Sequence, residues 1–230
     1  MNTREPQYAG IFLYRDHPIF MGVNAAHLWI QDPKHLAFTF SRYKFVSKVL
    51  ADSESVIEIG CGDGFAARIV ASNVKNLLLT DFDPLFVEEA SRFSISPYLY
   101  QTEVYDFVHD GPYKKQRFSA AYCLDVLEHI SKADENKFLS NIVESLEVDG
   151  LLVIGSPSIH SQVYASESSK AGHVNCKSYE GLMATLKTFF HNVQIFCMND
   201  EVVHTGFDKL AHYYLAVCTT KKDLEKINGS

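Results

Sequence analysis

Three glycines that alternate with other residues, directly after an apolar run of strand length, constrain this chain more than any other feature. The run Ser55–Ile59 leads into Gly60, Gly62 and Gly64. Glycine tolerates positive φ angles and lets the backbone approach a ligand closely, and the helix after such a turn offers backbone N–H groups to an anion. The sequence therefore predicts a strand, a tight ligand-binding turn and a helix.

The glycine spacing distinguishes this turn from two common nucleotide-binding loops. A dinucleotide loop follows the pattern GxGxxG, and its third glycine lies where the helix packs on the strand. Phe65 occupies that place here, and no Gly-Lys-Ser/Thr sequence of a Walker-type phosphate loop is present. The spacing therefore argues against NAD and excludes a Walker phosphate loop.

Acidic residues follow the next two predicted strands. Asp81 ends the run after Asn76–Thr80, where its carboxylate can accept hydrogen bonds from both ribose hydroxyls of a nucleoside. Asp83 precedes Pro84 and is expected to cap the next helix, which leaves Asp81 free for the ribose. Asp106, in the sequence Val-Tyr-Asp-Phe, could accept a hydrogen bond from the exocyclic amine of adenine.

The alternation of apolar and amphipathic runs predicts the fold. From about residue 55 onward, runs of strand length alternate with runs of helix length, as in a parallel sheet covered on both faces. The predicted strands are Ser55–Ile59, Asn76–Thr80, Tyr98–Gln101, Ala120–Leu124, Gly150–Ser156, Val193–Met198 and His212–Thr219. The predicted helices are Gly64–Ser72, Pro84–Arg92, Asp134–Ser145 and Ser178–Phe189. A short connection makes the last two strands antiparallel, so we expect a doubly wound, seven-stranded, mostly parallel α/β sheet with an antiparallel last strand.

The length of 230 residues suits one large domain. We expect residues 1–50 to form an N-terminal arm and a covering helix that starts at Pro33 with Asp32 as its cap, residues 51–222 to form the main domain, and residues 223–230 to form a tail. The N-terminal region is either a helix with an arm over the sheet edge or a lid over a substrate pocket. The Ser-rich stretch 156–172 predicts a mobile loop.

Composition excludes several classes of function. The formal charge of −7 arises from 28 acidic and 21 basic residues without a basic stripe, which disfavours nucleic acid as a partner. No apolar run reaches the roughly 20 residues of a membrane span, and the polar start does not resemble a signal peptide. Five separated cysteines without a CxxC pair indicate neither a zinc knuckle nor a disulfide framework. We therefore expect a cytoplasmic monomer or homodimer with a small-molecule partner.

Four segments in order, VIEIGCGDG, LLLTDFDP, VYDF and FSAAYCLDVLEHI, resemble the class I methyltransferases, especially their ubiquinone- and menaquinone-biosynthesis-like branch. The resemblance covers roughly residues 50 to 220. It implies the Rossmann-like methyltransferase fold and S-adenosylmethionine as the cofactor. The implied cofactor-binding residues are Glu58, Gly60, Gly62, Gly64, Asp81, Phe82, Asp106, Phe107 and Leu124.

The segment CLDVLEHI should carry catalytic groups to the carboxyl edge of the sheet. Asp125, Glu128 and His129 share one face if a helical turn begins at Asp125. Some resembling enzymes, the quinone-precursor and small-RNA 2′-O-methyltransferases, hold a metal here and add a later histidine, for which His173 or His160 is available. We therefore expect Asp125, Glu128, His129 and His173 to be catalytic, with three roles open: a histidine base, a divalent metal site, which is possible but not favoured, or structure alone.

Three functions remain open from the sequence. The leading prediction is methylation of a small polar acceptor, such as O-methylation of a sugar. The second is a quinone-precursor O-methyltransferase, and the third is a non-catalytic S-adenosylmethionine-binding partner subunit. Tyr14, Phe20, Trp29 and Tyr43 could build an acceptor pocket or belong to the core, and His204 is expected to be a surface loop residue.

Overall fold

The computed structural model describes residues 3–12 and 19–223 of the chain. Within these residues it contains seven α-helices and a single eight-stranded sheet. The helices are α1 (Val23–Gln31), α2 (Pro33–Val49), α3 (Arg68–Ala71), α4 (Pro84–Ser91), α5 (Glu135–Ser145), α6 (Glu167–Gly172) and α7 (Tyr179–Phe189). The strands are β1 (Val56–Ile59), β2 (Leu77–Asp81), β3 (Gln101–Val104), β4 (Phe118–Leu124), β5 (Leu146–Pro157), β6 (Phe190–Asn199), β7 (Val202–His204) and β8 (Tyr213–Lys221). No helix among the described residues combines the length and the apolarity needed to cross a membrane.

The strand order is β3-β2-β1-β4-β5-β8-β6-β7. The first five strands in this order pair in parallel, and β8 runs antiparallel to both β5 and β6. The chain order reverses between β1 and β4, so a crevice forms at their carboxyl ends, where ligands of doubly wound sheets bind. The predicted fold class is confirmed, with β7 as one strand more than predicted.

Alternate side chains of each strand supply the cores on the two faces of the sheet. Val56 packs on the face covered by α2, α3 and α4, whereas its neighbour Ile57 packs on the face covered by α5 and α7. Leu139 of α5 and Leu182 of α7 are fully buried, as is Val46 of α2. Burying a side chain of this size stabilises the fold by about 1.5–3 kcal/mol, so these helices hold the carboxyl edge of the sheet in a fixed geometry.

The third strand was predicted three residues too early. It comprises Gln101–Val104 rather than Tyr98–Gln101. Tyr100 is buried, and its hydroxyl donates to the Ala90 carbonyl oxygen of α4 at 3.0 Å. The apolar residues around Tyr100 therefore pack on a helix and do not form the strand. The true strand lies at the edge of the sheet, has polar side chains and therefore lacks the apolar run by which a central strand is found.

One predicted helix and one predicted loop also need correction. The helix expected at 64–72 is α-helical only in α3, because Gly64 has φ +65 and cannot continue a right-handed helix. The stretch expected as a mobile loop at 156–172 contains a 3-10 helix, Ile159–Tyr164, followed by α6. Ser158 and Ser166 cap these two short helices, so the serines that suggested a loop act as helix starts.

The helix starts read from the sequence have mixed outcomes. The Asp83 carboxylate accepts a hydrogen bond from the Leu85 amide at 2.9 Å, and the Ser178 hydroxyl accepts one from the Gly181 amide at 3.1 Å, as predicted. Pro33 begins α2 as expected, but the Asp32 side chain makes no capping hydrogen bond, which corrects the predicted cap. The first turn of α2 is therefore held by its proline rather than by a carboxylate.

Candidate active site

A cavity of about 880 Å³ opens at the carboxyl edge of the sheet. Ligand sites typically occupy about 300–1,000 Å³, so the space suits a cofactor together with an acceptor group. Its walls are the glycine loop, the ends of β2 and β4, the helices α1 and α2, and His173 after α6. Both N-terminal helices line the cavity, and the predicted role of this region as a substrate lid stays a prediction.

The glycine loop has the conformation that its sequence predicts. Gly60 and Gly64 have φ angles of +73° and +65°. A Cβ atom on Gly60 would lie 2.3 Å from Val126 Cγ2, and one on Gly64 would lie 2.7 Å from the Ala90 Cβ. The loop therefore needs glycine both for backbone conformation and for space, and its backbone is presented to the cavity.

Asp81 ties the end of β2 to the glycine loop. It is buried, and its Oδ2 accepts a hydrogen bond from the Gly62 amide at 3.0 Å while Oδ1 accepts one from the Asp83 amide at 3.0 Å. The side chain also lines the cavity, and each carboxylate oxygen can accept a further bond. Its predicted contact with a ribose remains a prediction, to which the structure adds a role in shaping the loop.

The Glu58 carboxylate is directed into the protein rather than into the cavity. It is fully buried and accepts hydrogen bonds of 2.6 Å from the hydroxyls of Tyr43 and Tyr122. Burial raises the pKa of Glu58 to about 8, although the two phenol hydrogen bonds act to lower it. Tyr43 lines the cavity and Glu58 does not, so Glu58 supports the loop from below and its predicted contact with a cofactor stays untested.

Replacing Glu58 by Gln should make stability less dependent on pH. Because the folded pKa of Glu58 lies above the ordinary carboxyl value near 4.3, its stabilising contribution is complete below about pH 4.3 and is lost as the pH rises from there through about 8. We expect the urea midpoint of the native chain to fall between pH 6 and pH 9 by more than that of Glu58→Gln. The exposed Glu88→Gln is the matched control and should follow the native chain; equal slopes for all three proteins would contradict the burial argument.

Asp106, Phe107 and Phe82, which were predicted to bind the cofactor, all line the cavity. Burial acts to raise the pKa of Asp106, but hydrogen bonds from the His109 ring and from the Val108 and His109 amides outweigh it and lower the pKa. The Phe107 ring is buried in the core beside Tyr105 and also lines the cavity, so its predicted contact with adenine stays a prediction. Phe82 is exposed at 72% and lines the cavity, as do the half-buried Phe86 and Tyr105.

Asp125, at the end of β4, pairs with an arginine that the sequence did not single out. Both carboxylate oxygens accept from Arg42 Nη1, at 2.9 and 2.8 Å, and the Arg42 guanidinium lies 3.8 Å from the centre of the Tyr213 ring. Asp125 has φ +56, so the helical turn does not begin there, and a 3-10 turn starts at Leu127 instead. Asp125 is thereby oriented toward Arg42 rather than sharing one helical face with Glu128 and His129, which corrects the predicted arrangement.

Glu128 is buried at the cavity wall with one oxygen lacking a partner. It is 1% exposed; Oε2 accepts from the Ser156 hydroxyl at 3.2 Å, whereas Oε1 has no hydrogen-bond partner within the described residues. Burial first and the charge of Asp125 second raise the pKa of Glu128 to about 8. A buried polar atom without a partner is rare in native proteins, and here it lies at the wall of a cavity that can hold a ligand.

His129 and His173 complete a cluster with Glu128. One potential ligand atom from each of the three residues lies within 4.8 Å of the others. The Nδ1 atom of His129 donates to the Gly172 carbonyl oxygen at 2.9 Å, and that of His173 to Gln162 Oε1 at 2.8 Å. These bonds leave Nε2 of each neutral ring as the nitrogen with a lone pair. Burial and the neighbouring His129 lower the pKa of His173, which favours its neutral form.

The remaining predicted residues lie outside this cluster. His160 is exposed and does not line the cavity. His204 lies on edge strand β7 rather than in a loop, and its ring bonds Asn199 Oδ1 at 2.8 Å and the Gly206 amide at 3.0 Å. Phe20 and Trp29 are largely exposed and absent from the cavity lining, and Tyr14 lies outside the described residues.

Helices α1 and α2 contribute polar groups to the cavity that were not predicted from the sequence. These are His27 of α1 and His35, Thr39 and Arg42 of α2. Burial and the charge of Arg42 lower the pKa of His35, which favours a neutral ring. A polar side chain every three to four residues along α2 is the one signal that could have revealed this face, but an exposed helix gives the same pattern.

A doubly wound sheet whose last strand is antiparallel, with alternate glycines after β1 and an acid at the end of β2, is the arrangement that the resemblance to the class I methyltransferases predicts. Residues 57–154 match the family model of the methyltransferase domain, which covers β1 through most of β5. Residues 57–154 therefore belong to a methyltransferase domain, and the cofactor of this family is S-adenosylmethionine. The predicted family resemblance is confirmed.

Similar proteins share this domain at low sequence identity. A mitochondrial ubiquinone biosynthesis O-methyltransferase from Schizosaccharomyces pombe is 24% identical over 125 residues, which is 50% of this chain and 44% of that protein. The N-methyltransferase NodS from Bradyrhizobium japonicum, in complex with S-adenosyl-L-homocysteine, has a TM-score of 0.64 and 18% identity over 84% of this chain and 90% of its own. The methyltransferase domain of the bacterial CtHen1-C has a TM-score of 0.66 and 14% identity, over 80% of this chain and 100% of its own. This chain thus spans less than half of the curated relative, and the solved structures show a common fold.

Proposed function

We propose that this protein transfers the methyl group of S-adenosylmethionine to a hydroxyl oxygen of a small polar acceptor such as a sugar. The observation that carries this proposal is the unpartnered Oε1 of Glu128 at the cavity wall, beside His129 and His173. A hydroxyl group can donate to that oxygen. The polar groups of α1 and α2, among them His27, His35 and Thr39, supply further donors and acceptors for a polyhydroxylated molecule.

The residues of the cluster account for the proton that a hydroxyl acceptor must lose. When bound, S-adenosylmethionine supplies a methyl group on a positively charged sulfur, so catalysis needs alignment and removal of one proton. Glu128 or the Nε2 atom of a neutral histidine receives that proton, while the oxygen lone pair forms the new O–CH₃ bond. The electron pair of the broken S–CH₃ bond remains on sulfur, which yields S-adenosylhomocysteine. A base with a pKa near 8 is suited to this task near neutral pH.

The same three side chains also fit a divalent cation. One carboxylate and two imidazoles, with both rings held by hydrogen bonds at their other nitrogen, form a ligand set typical of catalytic metal sites. A cation there would lower the pKa of an acceptor hydroxyl and hold its oxygen in place. Asp125 lies outside this set of three side chains, and its carboxylate is paired with Arg42.

A quinone precursor is the second candidate acceptor. The Schizosaccharomyces pombe relative, a ubiquinone biosynthesis O-methyltransferase, favours it. A phenolic hydroxyl would use the same proton acceptors, and the cavity also has apolar wall residues such as Leu28 and Phe40. The two candidates therefore differ in the body of the acceptor and agree in the methylated atom.

Turnover of S-adenosylmethionine to S-adenosylhomocysteine tests the proposal. Purified protein should release S-adenosylhomocysteine only when a suitable acceptor is present, so we would screen monosaccharides, sugar nucleotides and catechols and identify the methylated product by mass spectrometry. Turnover with the sugars supports the leading candidate, and turnover with the catechols supports the second. Tight binding of S-adenosylhomocysteine without turnover on any hydroxylated acceptor would contradict an O-methyltransferase and favour a non-catalytic partner subunit.

A further inference from the structure

Asp63, within the glycine loop, caps a helix from another part of the chain. Its Oδ2 accepts hydrogen bonds from the backbone amides of Asn24 at 2.8 Å and Ala25 at 3.0 Å, the second and third residues of α1. These are the two amides that an N-cap side chain normally satisfies. Gly22, the N-cap residue of α1, has no side chain with which to do so, and the Asp63 carboxylate takes that place from a distance of nearly 40 positions in sequence.

Helix α1 buries little of its own surface. Ala25 is its single buried residue, while Val23, Trp29 and Ile30 are 50–74% exposed, and the helix also packs against α2. A helix of nine residues is marginal without tertiary contacts, so the two hydrogen bonds to Asp63 add a polar anchor to its packing on α2. The contact is also close: a Cβ atom on Gly22 would lie 2.3 Å from Asp63 Oδ2, so Gly22 is the residue that lets the helix start approach the carboxylate.

The anchored helix connects the two halves of the cavity. The neighbour of Asp63, Gly62, donates its amide to the predicted ribose acid Asp81, whereas α1 contributes His27 and Leu28 to the wall of the acceptor side. We propose that Asp63 is a positioning residue that fastens α1 to the cofactor loop, so that occupying the loop with cofactor orders the wall of the acceptor site. The coupling to cofactor rests on the proposed function.

Hydrogen exchange of the α1 amides, measured in the free protein and with S-adenosylhomocysteine, tests this role. S-adenosylhomocysteine should slow exchange over residues 26–31 of the native chain. In Asp63→Ala, exchange over these residues should be about 5- to 30-fold faster, the scale of a lost N-cap, and should no longer respond to S-adenosylhomocysteine. Asp63→Asn keeps one side-chain oxygen for the α1 amides and should recover most of the protection.

A second variant separates the helix anchor from the loop itself, because Asp63 Oδ1 also accepts from the Phe65 amide at 3.1 Å. Gly22→Ala changes the helix side of the contact and retains the Asp63 carboxylate; it is compatible with the φ of −61° at Gly22, yet its Cβ would lie 2.3 Å from Asp63 Oδ2 and push α1 and the carboxylate apart. It should reproduce the fast exchange of Asp63→Ala, and the double variant should be no faster than either single variant. The exposed Asp149→Ala is the control and should match the native chain.

The results that overturn the proposal differ from those that overturn the function. Unchanged exchange over 26–31 in Asp63→Ala, or additive effects in the double variant, would show that Asp63 does not hold α1. Exchange in Asp63→Ala that still slows on addition of S-adenosylhomocysteine would overturn the coupling. If the native chain does not bind S-adenosylhomocysteine, the proposed function and the coupling fail together, while the comparison of the free proteins still decides whether Asp63 anchors the helix.

Discussion

Alanine at His129 or at His173 is expected to lower turnover of the true acceptor by about 10²-fold or more while leaving S-adenosylmethionine affinity nearly unchanged. Both rings line the cavity with Glu128, at the proposed acceptor side, and each is oriented by a hydrogen bond at Nδ1. The cofactor is expected to contact the glycine loop and Asp81 instead, so binding and chemistry should separate. Steady-state kinetics and calorimetry on the same variants measure the two effects.

His160→Ala is the matched control for these variants. His160 lies in the same part of the chain as Gln162 and His173, but it is exposed and does not line the cavity. Its loss should leave turnover and binding unchanged. Wild-type turnover in both His129→Ala and His173→Ala would show that the cluster is not catalytic and that alignment alone drives the reaction.

The response to pH and to a chelator decides which group handles the proton. If Glu128 is the base, activity should rise through an acid limb near pH 8, since burial and Asp125 raise its pKa to about 8. If His173 is the base, the limb should lie below the ordinary histidine value of about 6.5, because burial and His129 lower its pKa. Neither base responds to EDTA, whereas a bound cation would be removed by EDTA and restored by Mg²⁺ or Mn²⁺. Glu128→Gln keeps the shape of the side chain. It should abolish activity if Glu128 is the base or a metal ligand, and it should leave activity if His173 is the base.

The conformation of the glycine loop was predictable because its signals are local. Gly60, Gly62 and Gly64 report backbone conformations that few other residues adopt, and Asp81 stands at the end of a clear apolar run. The central strands are apolar because both faces are covered, so their positions could be read to within a few residues. The edge strands β3 and β7 lack this signal, and the first was misplaced while the second was missed.

The acceptor side was less predictable because its contacts join distant parts of the chain. Arg42 and Asp125 form an ion pair although they are 83 positions apart in the sequence. Asp63 binds two amides of α1 that are 38 and 39 positions away. Nothing in the sequence near Asp125 indicates that an arginine will occupy it, so the spacing of Asp125, Glu128 and His129 suggested a shared face. The positive φ of Asp125 breaks that spacing, and a non-glycine residue with positive φ gives little warning in a sequence.

Replacing Asp81 by Ala is expected to weaken binding of S-adenosylhomocysteine by about 1.5–3 kcal/mol, the scale of hydrogen bonds to a charged group. Calorimetry on the folded variant measures this change, and native protein should bind neither NAD nor NADH, because Phe65 stands where a dinucleotide loop has glycine. Asp83→Ala is the matched control. Asp83 is a carboxylate two residues away that caps α4, so its loss should lower stability without a comparable loss of affinity.

A loss of affinity in Asp81→Ala has two possible causes. One is the loss of a hydrogen bond from the ribose, and the other is a change in the glycine loop, because Asp81 also accepts a hydrogen bond from the Gly62 amide. An analogue of S-adenosylhomocysteine without the ribose 3′-hydroxyl separates them by a double-mutant cycle. If Asp81 accepts that hydroxyl, the analogue should bind more weakly than S-adenosylhomocysteine to the native chain, and the two ligands should bind Asp81→Ala about equally. If the analogue is weaker by the same factor in both proteins, Asp81 acts on the glycine loop alone, and the ribose must be held by another group at the edge of β2.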